Sequence, residues 1–299
     1  MAEIMSSSDS ALETKARRAF TVDVEDWYHG IELPQSSWLG KDNRLDRGLD
    51  KILELLEKLN IKATFFVMGA VALSNPKSVK KIARLGHEIG SHTMYHEKIY
   101  DLTPQIFLEQ EKQCKKILED LTESKVIGFR APYFSITSKS LWALEILKSL
   151  GYEYDSSISP VQTWRYGIPG VKPGIYQLES GLIEFTPSIG NFRSHTYGLG
   201  GAYFRLYPYQ LTKSAFLRLQ VKGNPAMFYI HPWELDYGHP LIKMEARAFI
   251  THYSNLKKTS RKLERLFSDF SFETASQIIE SVKLNKNISK LDLSKDIEI

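Results

Sequence analysis

The 299-residue chain reads as an α/β domain built on parallel strands. Three observations predict it. Short apolar runs rich in β-formers alternate with helix-period segments of ten or more residues, and strands joined by helices pair in parallel through right-handed crossovers. A content of 42% hydrophobic and 12% aromatic residues is ample for a large buried core. No repeat, low-complexity linker or composition shift divides the chain. Both an open sheet and a closed barrel satisfy this pattern.

The elements follow in order. A short apolar run ends in T-V-D-V-E-D-W-Y-H, Thr21 to His29, as a strand end crowded with acids. Leu45, Leu49, Ile52, Leu53, Leu56 and Leu59 recur at helical spacing, and I-K-A-T-F-F-V-M-G is the next strand, ending in Gly69. A helix from about Pro76 to Leu85 stops at Gly86, a strand covers His87 to Gly90, and a helix runs from about Pro104 to Leu121. V-I-G-F before Arg130 is a strand, S-K-S-L-W-A-L-E-I-L-K-S-L a helix ending at Gly151, and Y-E-Y-D-S-S a strand entering a turn. From Pro160 to Tyr209 the pattern loosens into glycine, proline and aromatics, and irregular stretches this long tend to line binding sites. The sheet resumes at P-A-M-F-Y-I-H-P-W-E, and F-S-F-E-T-A-S-Q-I-I-E-S-V supplies a last strand and helix. The expected organisation is a flexible N-terminus (1–18), one domain (19–282) and a charged C-terminal tail (283–299).

Bulk properties exclude several classes. Lys and Arg exceed Asp and Glu by only four, with no basic stripe that would follow a phosphate backbone, so nucleic acid is not an expected partner. The single cysteine, Cys114, cannot form an internal disulfide and reads as a packing residue on an amphipathic helix. Residues 1–18 lack the apolar core of a secretory signal, and no run approaches the roughly 20 apolar residues of a membrane span. A cytoplasmic location is the expectation. Oligomeric state stays open, a homo-oligomer included.

Asp23, Glu25 and Asp26 fall within four positions, and such crowding calls for a positive partner supplied from elsewhere, a metal or a guanidinium. G-S-H-T-M-Y-H-E offers one. If the backbone turns helical there, His92 and His96 project from one face, and a carboxylate from a neighbouring strand end completes the His-His-acid set that catalytic zinc uses. In G-F-R-A-P-Y, Arg130 is a fixed cationic fork at a strand end, and the following proline leaves the amide of Tyr133 free to face a cleft. His231 ends the apolar strand of F-Y-I-H-P-W-E-L-D. All of these stand at carboxyl ends of predicted parallel strands, where α/β sheets and barrels build active sites.

The series resembles the polysaccharide deacetylases with a NodB-homology domain, carbohydrate esterase family four, over roughly Phe20 to Glu273. It is most similar to the subgroup with D-V-E-D-W in place of T-F-D-D-G and with H-P-W-E, linked to exopolysaccharide or lipopolysaccharide assembly. S-H-T-M-Y-H matches the metal-binding H-[ST]-x-x-H, R-A-P-Y matches R-x-P-Y, and Y-I-H-P matches L-x-I-H. The resemblance implies a distorted, incomplete (β/α)7-type barrel and a metal-dependent N-deacetylase acting on an N-acetylated sugar or glycan. By it His92 and His96 bind a divalent metal, Zn2+ first, and Arg130 pairs with the base carboxylate. Tyr133 lends a backbone oxyanion donor, and His231 is the general acid.

Asp155 would orient that histidine, although the tryptophan that usually follows this motif is absent. The first motif admits two registers: Asp23 as base with Glu25 as ligand, or Glu25 and Asp26 as base and ligand. Asp23 is the favoured base, and both Glu25 and Asp26 remain metal-ligand candidates. Trp27, Tyr28, Trp164, Tyr166, Tyr203, Phe204 and Trp233 are candidates for stacking on sugar faces. Rival readings are an amide or imide hydrolase for a small non-sugar substrate, and a degenerate barrel that binds glycan without turnover.

Overall fold

The computed structural model describes residues 17–163, 165–193, 195–285 and 288–293. Trp164, and the parts of the expected termini at 1–16 and 294–299, lie outside them. Eleven strands are present among the described residues: β1 (Arg18–Val24), β2 (Thr64–Val67), β3 (Glu88–Ser91), β4 (Gly128–Phe129), β5 (Tyr154–Asp155), β6 (Ile175–Gln177), β7 (Ile183–Phe185), β8 (Ile189–Phe192), β9 (His195–Gly198), β10 (Ala226–Ile230) and β11 (Ser289–Lys290). The helices are α1 (Leu45–Lys58), α2 (Gly69–Ser74), α3 (Pro76–Arg84), α4 (Pro104–Thr122), α5 (Trp142–Ser149), α6 (Gly201–Leu206), α7 (Tyr209–Val221), α8 (Ala246–Tyr253), α9 (Leu256–Asp269) and α10 (Ala275–Leu284).

Nine strands form one curled sheet in the order β10-β1-β2-β3-β4-β5-β7-β6-β11, a barrel left open between its first and last members. Pairing is parallel throughout except between β6 and β7, and β8 with β9 forms a separate antiparallel hairpin. The alternating sides of β1 show how the layers arise. Phe20, Val22 and Val24 enter the main core beneath the surrounding helices, whereas Ala19 joins an interior cluster with Phe66, Tyr154, Phe185 and Met227. Ala275, Ile278 and Ile279 of α10 belong to that interior cluster, and the Ala275 amide donates to Thr64 Oγ1 (2.8 Å) where β2 begins. The interior is therefore filled from the amino ends of the strands, and the polar residues of the same face gather at the carboxyl ends.

Where the observed elements differ from the sequence expectation, short-range patterning is the reason. Strands of three or four residues, interrupted by glycine and proline, carry too little periodicity to be read, and Pro160 to Tyr209 contains four of them plus α6. Phe270 to Glu273 contributes only a single bridge, Glu273 to Ala19, in place of a full strand. Part of the expected tail is structural, since Ser289–Lys290 pair with β6. Residues 246–269, for which the pattern predicts no element, form α8 and α9.

One glycine governs how α1 meets the segment after β10. A Cβ at Gly48 would lie 1.8 Å from the Pro232 carbonyl oxygen, so α1 approaches the 3-10 turn Pro232–Leu235 at backbone contact.

Candidate active site

Thr21 and Asp23 continue the inward face of β1, and Glu25 follows just past the strand end. Asp23 and Glu25 are both buried. Opposite them Arg130, entirely shielded from solvent, donates through Nη1 to Asp23 Oδ1 (2.8 Å) and Thr21 Oγ1 (2.7 Å) and through Nη2 to Ser156 Oγ (2.9 Å). Its guanidinium lies 4.3 Å from the Phe66 ring centroid. A buried charge pair is tolerated only when its remaining donors are satisfied, and here neighbouring strands supply the acceptors.

Glu25, His92 and His96 converge, with one ligand atom of each within 4.8 Å of the others. Glu25 Oε2 sits 2.6 Å from His96 Nε2 and, apart from that contact, has no hydrogen-bond partner. His92 Nδ1 meets the Arg130 carbonyl oxygen at 2.8 Å, which leaves Nε2 for the cluster, an outer contact typical of ligating histidines. An orphaned, buried carboxylate oxygen facing two imidazoles is a donor set that fits a divalent cation.

The histidines are not on a helix, as the i,i+4 spacing suggested. They lie in a loop with Thr93 (φ 63°) and His96 (φ 59°) in the left-handed region, and this loop places their ring centroids 5.1 Å apart. Burial, helped by His96, lowers His92 to a pKa of about 4, so it is neutral and competent as a ligand. Burial alone would raise Glu25, but the imidazoles of His96 and His231 hold it well below the usual carboxylate range.

His231 follows β10 with Nε2 3.5 Å from Glu25 Oε1 and 3.8 Å from Asp23 Oδ2. Burial opposes its protonation, but Glu25, Glu234 and Asp23 outweigh that and lift its pKa to about 9, so it carries a proton at neutral pH. Its support differs from the expectation. Asp155 does not touch His231: its Oδ1 accepts from Ser157 Oγ, and it shares a fully buried site with Glu184 between β5 and β7. Glu234 instead receives both the His231 backbone N–H (3.0 Å) and Nδ1 (2.7 Å) on Oε1. The 3-10 turn starting at Pro232 brings position i+3 back over the histidine, which is the reason.

Three further expectations are corrected. Asp26 turns away from the cluster, because its oxygens accept the amides of Trp27 (2.7 Å), Arg44 (2.7 Å) and Leu45 (3.1 Å) and so cap the start of α1. Of the two registers, the one with Glu25 among the imidazoles matches this geometry. Trp233 is not an open platform: its faces stack on His231 (5.2 Å) and His252 (4.2 Å), and Nε1 donates to Glu25 Oε1 (3.0 Å). Trp27 is buried, stacked on His239 (5.9 Å), with its indole N–H given to the Asp42 carbonyl.

Tyr133 does border the site. Its backbone is left-handed (φ 55°, ψ 19°), uncommon for an aromatic residue, and its ring meets that of His96 at 4.8 Å. The half-buried Tyr166 and Tyr203, hydroxyls 3.4 Å apart, extend an aromatic wall through Phe134 and Tyr229, the latter edge-on to His231.

Charged residues gathered at the carboxyl edge of a barrel-like parallel sheet stand where such α/β proteins build their active sites. Residues 36–154 match the family described as polysaccharide deacetylase, and residues 156–280 match a domain of unknown function (DUF3473). A peptidoglycan-N-acetylglucosamine deacetylase of Bacillus cereus is 38% identical over 96 residues, covering 32% of this chain and 35% of its own. A peptidoglycan deacetylase-like protein of Gibberella zeae is 30% identical over 137 residues, 45% of this chain and 37% of its own. The chain thus spans little more than a third of the length of these relatives. In fold it is similar to the crystal structure of a putative polysaccharide deacetylase from Mycobacterium smegmatis (TM-score 0.67, 19% identity, 93% of each chain). Over residues 36–154 the chain is thus similar to the polysaccharide deacetylases. The junction of the two matches falls inside β5, so the region of unknown function is the second half of the same sheet, contributing β6, β7 and β10.

Proposed function

We propose that this protein is a metal-dependent hydrolase that removes N-acetyl groups from an amino sugar of a polysaccharide, lipopolysaccharide or glycan precursor, yielding acetate and a free amine. One observation carries this reading: a Glu25–His92–His96 donor set flanked by Asp23 on Arg130 and by protonated His231, three roles that amide hydrolysis requires within one gap. A divalent ion, zinc first, held by Glu25, His92 and His96 would act as a Lewis acid on the acetamide carbonyl and acidify a water.

Asp23 takes the proton from the attacking water as its oxygen adds to the carbonyl carbon, and Arg130 keeps that carboxylate ionised and aimed. The backbone amide of Tyr133 is the proposed donor to the oxygen on which charge develops, a contact worth roughly 3 kcal/mol in comparable enzymes. His231 then gives its Nε2 proton to the departing nitrogen, which would otherwise leave as a strongly basic amide anion. Tyr166 and Tyr203, in place of the enclosed Trp27 and Trp233, are the proposed surface for a sugar face.

The test is acetate release from chitooligosaccharides and from a nucleotide-linked N-acetyl sugar, before and after chelation and zinc restoration. Turnover that is lost on chelation and regained with zinc supports the reading. Protein that binds no divalent ion and releases no acetate from either class overturns it.

A further inference from the structure

We propose that Glu234 and Arg205 are positioning residues that aim His231, forming a buried relay from the carboxyl end of α8 to the proton donor. The inference rests on the preceding reading that His231 supplies the proton. Three observations lead to it.

Glu234 is fully buried and Arg205 is 1% exposed. Removing two such charges from water costs several kcal/mol each, so a pair of this kind in a core is retained only where its hydrogen bonds are complete. Here they are. Glu234 Oε1 holds His231 from two directions, through the backbone N–H and through Nδ1, while Oε2 accepts from Arg205 Nε. With Nδ1 engaged, the ring has one nitrogen left, and Nε2 faces Asp23 and Glu25.

Arg205 is itself anchored by main chain. Its Nη1 donates to the carbonyls of His252 (3.0 Å) and Ser254 (2.8 Å), and its Nη2 to that of Thr251. These carbonyls belong to the last turn of α8 and the residue after it, groups that a helix cannot satisfy itself. The planar fork reads carboxylate and helix end together, a geometry a lysine ammonium cannot reproduce. Arg205 lies on α6, in the stretch where the sequence is least regular, and nothing in the mechanism above uses it. Asp155, the acid expected in this place, is committed to Ser157 and Glu184.

The experiment compares wild type with Glu234→Gln, Arg205→Lys and the charge-free double variant Arg205→Met/Glu234→Gln, the last guarding against misfolding from a lone buried charge. Steady-state acetate release from chitopentaose, bound zinc and the 15N signals of His231 are measured on each. The expected result for Glu234→Gln is a kcat lower by about 10–100-fold, taking the range known for carboxylate partners of metal-ligating histidines as the guide. KM and zinc content should hold, and the His231 Nδ1 signal should shift. Arg205→Lys should fall between the two.

An unchanged kcat in Glu234→Gln, or a kcat loss matched by an equal loss of zinc, overturns the proposal while leaving the deacetylase reading intact. If wild type itself releases no acetate, that reading fails, and the spectra alone decide: unshifted His231 signals in Glu234→Gln reject the relay, shifted ones support it.

Discussion

The two halves of the barrel hold their chemistry by different means. Through β5, main chain fastens several of the polar groups: the Arg130 carbonyl holds His92, the amides of Trp27, Arg44 and Leu45 hold Asp26, and two left-handed residues shape the histidine loop, while Asp23 is paired with the Arg130 side chain. Beyond β5, His231 is held by a side-chain carboxylate, which is held by a guanidinium 29 residues away in sequence, which is held by a helix end. The first arrangement rests largely on main-chain groups at strand ends. The second rests on a series of side chains, each held by the next, so the two should fail differently when cut.

The largest effect should separate the halves outright. His92→Ala removes a donor from the Glu25–His92–His96 set and is expected to abolish both zinc binding and turnover. His231→Ala leaves that set whole, so zinc should bind as in wild type while kcat falls about 10²–10⁴-fold, the range for a lost general acid. Metal analysis and acetate assays on the two variants make the comparison. Zinc lost in both, or retained in both, would show that the halves are not divided in this way.

Gly48→Ala probes the seam between them, where α1 meets the turn after His231. The added carbon would sit 1.8 Å from a backbone oxygen, which cannot rotate aside as a side chain could. A loss of about 3 kcal/mol in urea unfolding is expected, at the upper end for overpacking. The turn Pro232–Leu235 carries Glu234, so kcat should drop further than zinc affinity. Equal losses in both would mean that the strain spreads through the whole barrel.

The same contrast accounts for what could be read from residues alone. Asp23 and Glu25 are legible because strand side chains alternate, His92 and His96 because they stand four apart just after a predicted strand, and Arg130 and His231 because each stands just past an apolar run. Glu25 and Asp26 are chemically alike neighbours, and only the position of the α1 amino terminus, a tertiary fact, sends one to the imidazoles and the other to the helix. Glu234 did leave a signal: H-P-W-E has proline at the first helical position and an acid three residues after the cap, the pattern of a capping box. Trp233 looked like a binding platform because sequence cannot show that both of its faces are covered. Arg205, inside G-A-Y-F-R-L, left none, since its partners lie 29 and more residues away. The fold was legible through β5, where apolar runs and helix-period segments alternate; it was lost between β6 and β9, where strands are too short to show a period, and at α7, α8 and α9, for which no element was expected.

The smallest effect concerns the acids buried behind each half, Glu111 behind β3 and the Asp155–Glu184 pair between β5 and β7. Glu111 accepts from Tyr152 Oη within a network that includes Ser91 and Cys114, and burial raises its pKa to about 7 from a model-compound value of 4.5. The sign follows from which state holds the proton. Below about pH 4.5 both folded and unfolded chains carry it, and the group is neutral to stability. As pH rises toward 7 the unfolded chain releases its proton first, so the folded state loses ground, by about 3 kcal/mol once both have ionised. Glu111→Gln removes that slope, and its amide oxygen can still accept from Tyr152. The variant should therefore match wild type at pH 4.5 and exceed it by about 3 kcal/mol at pH 8 in urea titrations. Because Glu111 touches neither His92 nor His231, zinc content and kcat should not follow. A stability difference that does not grow between those pH values would mean that Glu111 ionises in the folded protein much as it does in the unfolded chain.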